Sequence, residues 1–325
     1  MSYPLVEIRN LSKIFKTGFF TKRLVKAVDD VSFTMPKGGA TITALVGESG
    51  SGKTTLGRLL LRLERPTSGD ILYKGKNIKG MSKKELFTYT KEVQPIFQDP
   101  YGAFNPFYKV DHVLRMPVMK FRIGSSEIDR HKLIVETLEA VGLSEEILDK
   151  YPHQLSGGER QRIIVSRAFL VNPELIIADE PVSMIDTSLR AGILNLILDL
   201  KQKFGKSFLF ITHDLFTAYY LSNNILVLYR GSIVEKGDVE AVINKPCHPY
   251  LKTLISSVPV PDPKKRWKEN LEIRTEEITY ITETVGCKFY GRCPEATETC
   301  LRSTPQLLNI GPNHDVACHL YTNES

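Results

Sequence analysis

No run of about 18 apolar residues occurs in this 325-residue chain, which argues against a helix spanning a bilayer. The opening stretch Met1-Ser2-Tyr3-Pro4-Leu5-Val6-Glu7-Ile8-Arg9 lacks the basic segment, apolar segment and cleavage site of a secretory signal, so the expected compartment is the cytoplasm. Any role at a membrane must then come through a partner. Internal repeats, coiled-coil heptads and low-complexity tracts are missing too, leaving an ordinary globular composition, 25% charged and 42% hydrophobic. The net charge of +6 is dispersed among acids rather than gathered in a patch, so nucleic acid is not an expected partner. A modest positive balance also suits docking at an anionic cytoplasmic leaflet. Cysteine is scarce: Cys247 stands apart, and the other four follow C-x5-C-x6-C-x17-C as Cys287, Cys293, Cys300 and Cys318.

Against this background one short segment carries the most information. Gly47-Glu48-Ser49-Gly50-Ser51-Gly52-Lys53-Thr54 fits G-x-x-x-x-G-K-[ST], the loop that wraps phosphates in backbone N–H groups. Thr41 to Val46 reads as a short buried strand, and Thr55 to Leu61 has helical spacing, so the phosphates would meet a helix N-terminus. Lys53 would reach the β/γ-phosphates, the Thr54 hydroxyl would help to hold Mg²⁺, and Thr55, at the start of the helical run, completes the expected ATP-binding set. ATP is the expected ligand.

Further along, Leu155-Ser156-Gly157-Gly158-Glu159-Arg160-Gln161 opens a helical run to Leu170, with a serine suited to capping and two glycines that let backbone approach a phosphate. The apolar stretch Leu175-Ile176-Ile177-Ala178 ends in Asp179-Glu180, which places a Mg²⁺-holding carboxylate and a water-orienting base at a strand's C-terminal end. Together these motifs resemble the ATP-binding cassette (ABC) ATPases. The resemblance implies a P-loop α/β fold: a RecA-like core, an antiparallel β subdomain and a helical subdomain over about 105–171. It also implies catalytic roles for Glu180, for Gln98 (in Ile96-Phe97-Gln98-Asp99-Pro100), which contacts Mg²⁺ and the attacking water, and for the γ-phosphate-contacting His213 (in Phe210-Ile211-Thr212-His213-Asp214). Family members pair head to tail, so Ser156, Gly157, Gly158 and Glu159 would meet the partner's ATP, and Asp186 of Ser183-Met184-Ile185-Asp186 would stand in the loop that crosses the interface. An aromatic residue ahead of the phosphate loop would stack on adenine; Phe15 is the candidate, with Phe19, Phe20 and Phe33 competing.

Beyond residue 245 the pattern changes. His248-Pro249-Tyr250 precedes Leu251-Lys252-Thr253-Leu254-Ile255 and the proline-rich Val258-Pro259-Val260-Pro261-Asp262-Pro263, a plausible linker. This tail resembles that of the dipeptide/oligopeptide importer ATPases, and Gly47-Glu48-Ser49-Gly50, Leu56-Gly57-Arg58 and Pro66-Thr67-Ser68-Gly69 resemble the F-type subunit of those systems. The expected layout is a nucleotide-binding domain over 1–245 and a small cysteine-containing domain over 246–325. The expected partners are a sister ATPase in a heterodimer, two transmembrane permease subunits and an extracellular solute-binding protein. Peptide is the expected cargo, with oligosaccharide or nickel as alternatives, and a soluble ATPase acting on nucleic acid or ribosomes as the reading from another class. Clustered thiols in a cytoplasmic chain point to a metal or cluster rather than disulfides. Members of the subfamily with similar tails carry a [4Fe–4S] cluster, which the four cysteines would ligate; zinc or free thiols are the alternatives, and His314 or His319 could replace a ligand.

Overall fold

The computed structural model describes residues 3–17, 23–257 and 285–321. Phe19, Phe20 and the proline-rich stretch from Val258 to Pro263 lie outside the described residues. In chain order the elements are β1 (Val6–Thr17), β2 (Arg23–Met35), β3 (Ile42–Val46), α1 (Lys53–Leu60), β4 (Ser68–Tyr73), β5 (Lys76–Asn77), α2 (Lys83–Glu92), β6 (Val93–Ile96), α3 (Val110–Lys120), α4 (Glu127–Ala140) and α5 (Gly157–Phe169). There follow β7 (Leu175–Asp179), α6 (Thr187–Phe204), β8 (Ser207–Thr212), α7 (Leu215–Leu221), β9 (Asn224–Tyr229), β10 (Ser232–Asp238), α8 (Val239–Asn244), α9 (Pro249–Ser256), α10 (Glu298–Arg302), β11 (Leu308–Gly311) and β12 (His314–Val316). They fall into two compact units, one made of Met1–Leu5, Pro36–Ile42 and Lys76–Ile211, the other of Val6–Met35, Thr43–Gly75 and Thr212–Ser325.

In the first unit β6, β7 and β8 run parallel, with Ile96 opposite Ala178 and Ala178 opposite Phe210. Leu175 to Ala178 and Ser207 to Thr212 are wholly buried, as strands covered on both faces must be, so they read as unbroken apolar runs rather than alternating ones. Three helices, α3, α4 and α5, close on a core that includes Leu114, Val118, Ile134, Leu138 and Ile163. Reciprocal capping boxes start α4 (Ser126 with Asp129) and α5 (Ser156 with Glu159). After Ser144 the chain forms only a 3₁₀ segment, Glu145–Asp149, because it must turn extended at Tyr151 ahead of Pro152. Helix α2 was not expected. It buries only Tyr89, so it has almost no apolar stripe, and its Ser82–Glu85 capping box is its one clear local signal.

In the second unit β1 pairs antiparallel with both β2 and β4. Strand β3 lies parallel to β9, with Val46 opposite Val227, and β9, β10, β12 and β11 continue antiparallel. The β9–β10 hairpin turns on Arg230 and Gly231, both at positive φ (42° and 83°), as a two-residue primed turn requires. The cysteine-bearing tail is too small to build much core of its own. It extends the sheet by setting β12 on β10, and it inserts Phe289 into the core formed by Ala44, Val46, Val227, Tyr229 and Tyr250, against which Cys287 and Cys293 also pack.

Candidate functional site

The phosphate loop stands where its chemistry needs it, between the fully buried β3 and α1. Its glycines are dictated by neighbouring backbone. A Cβ on Gly52, where φ is +107°, would sit 2.1 Å from the carbonyl oxygen of Ala27, and one on Gly47 would sit 2.2 Å from that of Leu228. The Gly231 N–H donates to the Ser51 carbonyl at 2.8 Å, so the β9–β10 turn holds the loop from outside. Lys53, only 6% exposed, folds its ammonium over the loop and donates to the carbonyls of Gly47 (2.7 Å) and Glu48 (2.9 Å). Among the described residues the buried Ser51 hydroxyl has no hydrogen-bond partner, while Thr54 is exposed. Phe15 is half-buried with the Lys13 ammonium 4.6 Å from its ring centroid. Phe33, 4% exposed, belongs to the core and is withdrawn from the adenine-stacking candidates. His213 follows β8 and is exposed, and the next residue, Asp214, caps α7 by accepting from Phe216 N–H at 2.9 Å.

In the other unit Asp179 ends β7, and Glu180 follows in the left-handed region at φ 45°, an uncommon backbone state for a residue with a side chain. Bonds to its backbone hold it there: its N–H donates to the Ile211 carbonyl at 2.9 Å, and its carbonyl accepts from the Ser183 hydroxyl at 3.0 Å and the Ser183 N–H at 3.2 Å. The Gln98 side-chain amide donates to the Glu180 carboxylate at 3.3 Å, so these two expected catalytic groups meet although 82 residues separate them. At the start of α5, Ser156 Oγ accepts from Glu159 N–H while the Glu159 carboxylate accepts from Ser156 N–H at 2.7 Å. That backbone bond, with help from Lys150, keeps the Glu159 carboxyl below its ordinary range despite partial burial. Gly157 has open space around it, whereas Gly158 faces Leu189. Asp186 stands at the N-terminus of α6, with Ile185 buried and Met184 exposed beside it.

The tail supplies contacts to the loop that the motifs did not announce. His248 caps α9, its Nδ1 accepting from Tyr250 N–H at 3.0 Å, and Pro249 occupies the first turn. The fully buried Tyr250 then points its hydroxyl at the phosphate loop and accepts from Glu48 N–H at 2.8 Å. Arg292 grips the Glu48 carboxylate with both terminal guanidinium nitrogens, Nη1 and Nη2, at 2.8 Å. Lys288 bonds Asp29, the Arg230 carbonyl (2.8 Å) and the Ser232 hydroxyl (2.7 Å). Deeper still, Glu235 accepts from the N–H groups of Cys247 (3.0 Å) and His248 (2.7 Å) and meets His314 Nε2 at 2.7 Å. Glu235, Cys247 and His314 bring potential ligand atoms within 4.8 Å of one another, but these hydrogen bonds already compensate the buried carboxylate. His319 Nε2 lies 2.8 Å from the Ser303 carbonyl, so His314 and His319 both have partners other than a metal. Only Tyr250 had a sequence signal, inside His248-Pro249-Tyr250; nothing near Arg292 pointed to a partner 244 residues away.

Among the described residues all five cysteines are free thiols, Cys300 and Cys318 buried and the others half-buried. Burial pushes the Cys318 thiol up to about 11, and the Cys287 N–H donates to the Cys300 carbonyl at 2.7 Å.

A strand–loop–helix with a buried lysine, a strand ending in Asp-Glu and a capped Ser-Gly-Gly helix start define an ATP-binding cassette ATPase. Residues 28–183 match the family model described as ABC transporter, and residues 234–300 match that of the oligopeptide/dipeptide transporter C-terminal region. The putative oligopeptide transport ATP-binding protein YkfD of Bacillus subtilis (strain 168) is 43% identical over 98% of this chain and 96% of its own length. The dipeptide transport ATP-binding protein DppF of Escherichia coli (strain K12) is 39% identical over 98% of this chain and 95% of its own. Among solved structures, the dimeric ATP-binding cassette MJ0796 bound to ADP and Pi in a post-hydrolysis state has a TM-score of 0.63 at 26% identity, covering 72% of this chain and 98% of that one. The chain belongs to the oligopeptide/dipeptide transport ATP-binding proteins of the ABC family, whose members hydrolyse ATP.

His248 gives this site a pH dependence. Burial, aided by the charge of Lys252, lowers its imidazole from an ordinary 6.5 to about 4, in keeping with an Nδ1 that must accept the Tyr250 N–H. Because the folded-state value is depressed, the stabilisation is complete above 6.5 and is lost as pH falls towards 4. Between pH 7 and pH 5 the wild type should lose about 2 kcal/mol more than a His248→Asn variant, whose amide oxygen can cap without titrating. Chemical denaturation at the two pH values measures the difference.

Proposed function

We propose that this chain is the ATP-hydrolysing subunit of an importer that takes peptides across the cytoplasmic membrane. Beside it work a sister ATPase, two permease subunits in the membrane and an extracellular solute-binding protein. The observation that carries this reading is that the likeness to peptide and dipeptide transport ATP-binding proteins runs through the tail as well as the cassette. Among the described residues no helix is long and apolar enough to cross a membrane, so the transported solute passes through other chains. The stretch from Phe97 to Met119 leaves Phe97, Tyr101, Phe107, Tyr108, Met116 and Met119 exposed, apolar surface of the kind that a permease subunit would cover. An oligosaccharide or nickel importer would use the same ATPase chemistry, and the ligand of the partner binding protein separates these cargoes. The dispersed basic residues speak against a nucleic-acid role.

The residues take these roles. Gly47, Glu48, Ser49, Gly50, Ser51, Gly52, Lys53, Thr54 and Thr55 form the phosphate site, with Phe15 against the base. Thr54, Asp179 and Gln98 are the groups that would hold Mg²⁺, which neutralises phosphate charge when bound. Glu180 orients the attacking water and takes its proton, Gln98 keeps that carboxylate aimed, and His213 contacts the γ-phosphate. Ser156, Gly157, Gly158 and Glu159 serve the sister subunit's nucleotide across the dimer, with Asp186 at the interface. The four cysteines of a module without much core, Cys287, Cys293, Cys300 and Cys318, would ligate a [4Fe–4S] cluster that staples the tail.

Two tests follow. Glu180→Gln should cut phosphate release by the purified complex about a hundredfold or more while ATP stays bound; release at the wild-type rate would remove Glu180 from its role. Protein prepared anaerobically should contain iron and acid-labile sulfide in equal amounts, lost in Cys300→Ser. Zinc, or neither metal, would contradict the cluster.

A further inference from the structure

We infer that Arg292 and Tyr250 are positioning residues for the phosphate loop, so that nucleotide affinity is set in part by the module that carries the four cysteines. The inference rests on the ATPase reading and deepens it. Glu48 is the second residue of the loop, and two of its polar groups are held by the tail: its N–H by the Tyr250 hydroxyl at 2.8 Å, its carboxylate by the Arg292 guanidinium through two bonds of 2.8 Å. Exposed ion pairs are worth little as a rule. This one is a two-pronged fork, with side chains 21% and 39% exposed, and the guanidinium lies against the rings of Tyr229 (5.8 Å) and Phe289 (5.7 Å). Those rings, with Tyr250, form one aromatic cluster: Tyr229 is 4.5 Å from Tyr250 and 5.2 Å from Phe289 between centroids.

The position of Arg292 ties this grip to the cysteines. It directly precedes Cys293, whose N–H donates to the Tyr290 carbonyl; Tyr290 N–H donates in turn to Cys287, and Cys287 N–H to Cys300. These backbone bonds join the guanidinium's segment to three of the four cysteines. The pairing also answers an electrostatic problem. A carboxylate in a loop that wraps a polyanion opposes binding unless a cation neutralises it, and Arg292 is the side chain bonded to it. Arg292 thus fixes the loop's path and cancels its negative charge.

The test is the MgATP dissociation constant of the full-length chain, followed with a fluorescent ATP analogue, alongside thermal melting and iron content. Arg292→Ala should weaken binding about tenfold, the loss of one charged hydrogen-bonded pair. Adding Glu48→Gln to that variant should restore affinity to within about threefold of wild type, because it removes the stranded charge, a recovery that a merely structural arginine would not give. Should Arg292→Ala fail to fold, Tyr250→Phe removes only a hydroxyl and should weaken binding about threefold. The inference is overturned if Arg292→Ala binds within twofold of wild type while Lys53→Ala loses binding, or if the double variant is no better than Arg292→Ala. Wild-type protein that binds no better than Lys53→Ala would overturn the ATPase reading instead.

Discussion

The carbonyl oxygens of Ala27 and Leu228 set the shape of the phosphate loop, and much else depends on that constraint. With backbone that close to Gly47 and Gly52, no side chain fits at either position, and the loop has one path from the buried β3 into α1. The constraint is non-local, because β2 supplies one carbonyl and β9 the other. A P-loop motif is therefore also a statement about the strands around it. Lys53 completes the arrangement by hydrogen-bonding the loop's own carbonyls, bonds that an ammonium can exchange for phosphate oxygens.

The tail explains itself through carboxylates, one of them buried, and the groups that satisfy them. Glu235 is wholly buried and collects two backbone N–H groups at the start of α9 together with His314. Burial alone would push its carboxyl up, and the donors around it oppose that shift. The result fixes His248, then Pro249, then the direction of Tyr250, so that a three-residue motif in the tail is spent on reaching Glu48. Lys288 and Arg292 do the same from the cysteine-bearing segment, using charge where the aromatic cluster uses shape. A small module with little core of its own thereby gains order from the sheet it extends and lends order to the loop it grips.

The local structure around the motifs was legible in the sequence: a strand, a glycine-rich turn and a helix start occupy adjacent residues, and Asp179-Glu180 follows directly from its strand. The buried parallel strands announced themselves as unbroken apolar runs. What could not be read depends on contacts over long separations or on faint patterning. Helix α2 has almost no apolar stripe, Ser144 starts a 3₁₀ segment that Tyr151-Pro152 ends, and Phe33 competed with Phe15 until its burial was known. The Arg292–Glu48 pair joins residues whose neighbours give neither a period nor a motif. Gln98 with Glu180 lies between these cases: each residue was singled out by a resemblance, but their hydrogen bond is a product of the fold.

An ATPase that powers a transporter is defined by what it is bolted to, so the most direct measurement is the composition of the intact complex. Solubilised gently from native-like membranes under anaerobic conditions and identified by mass spectrometry, the complex should contain a sister ATPase, two membrane subunits and a solute-binding protein that retains peptide. Recovery of the chain with ribosomal or DNA-associated proteins alone would contradict the importer.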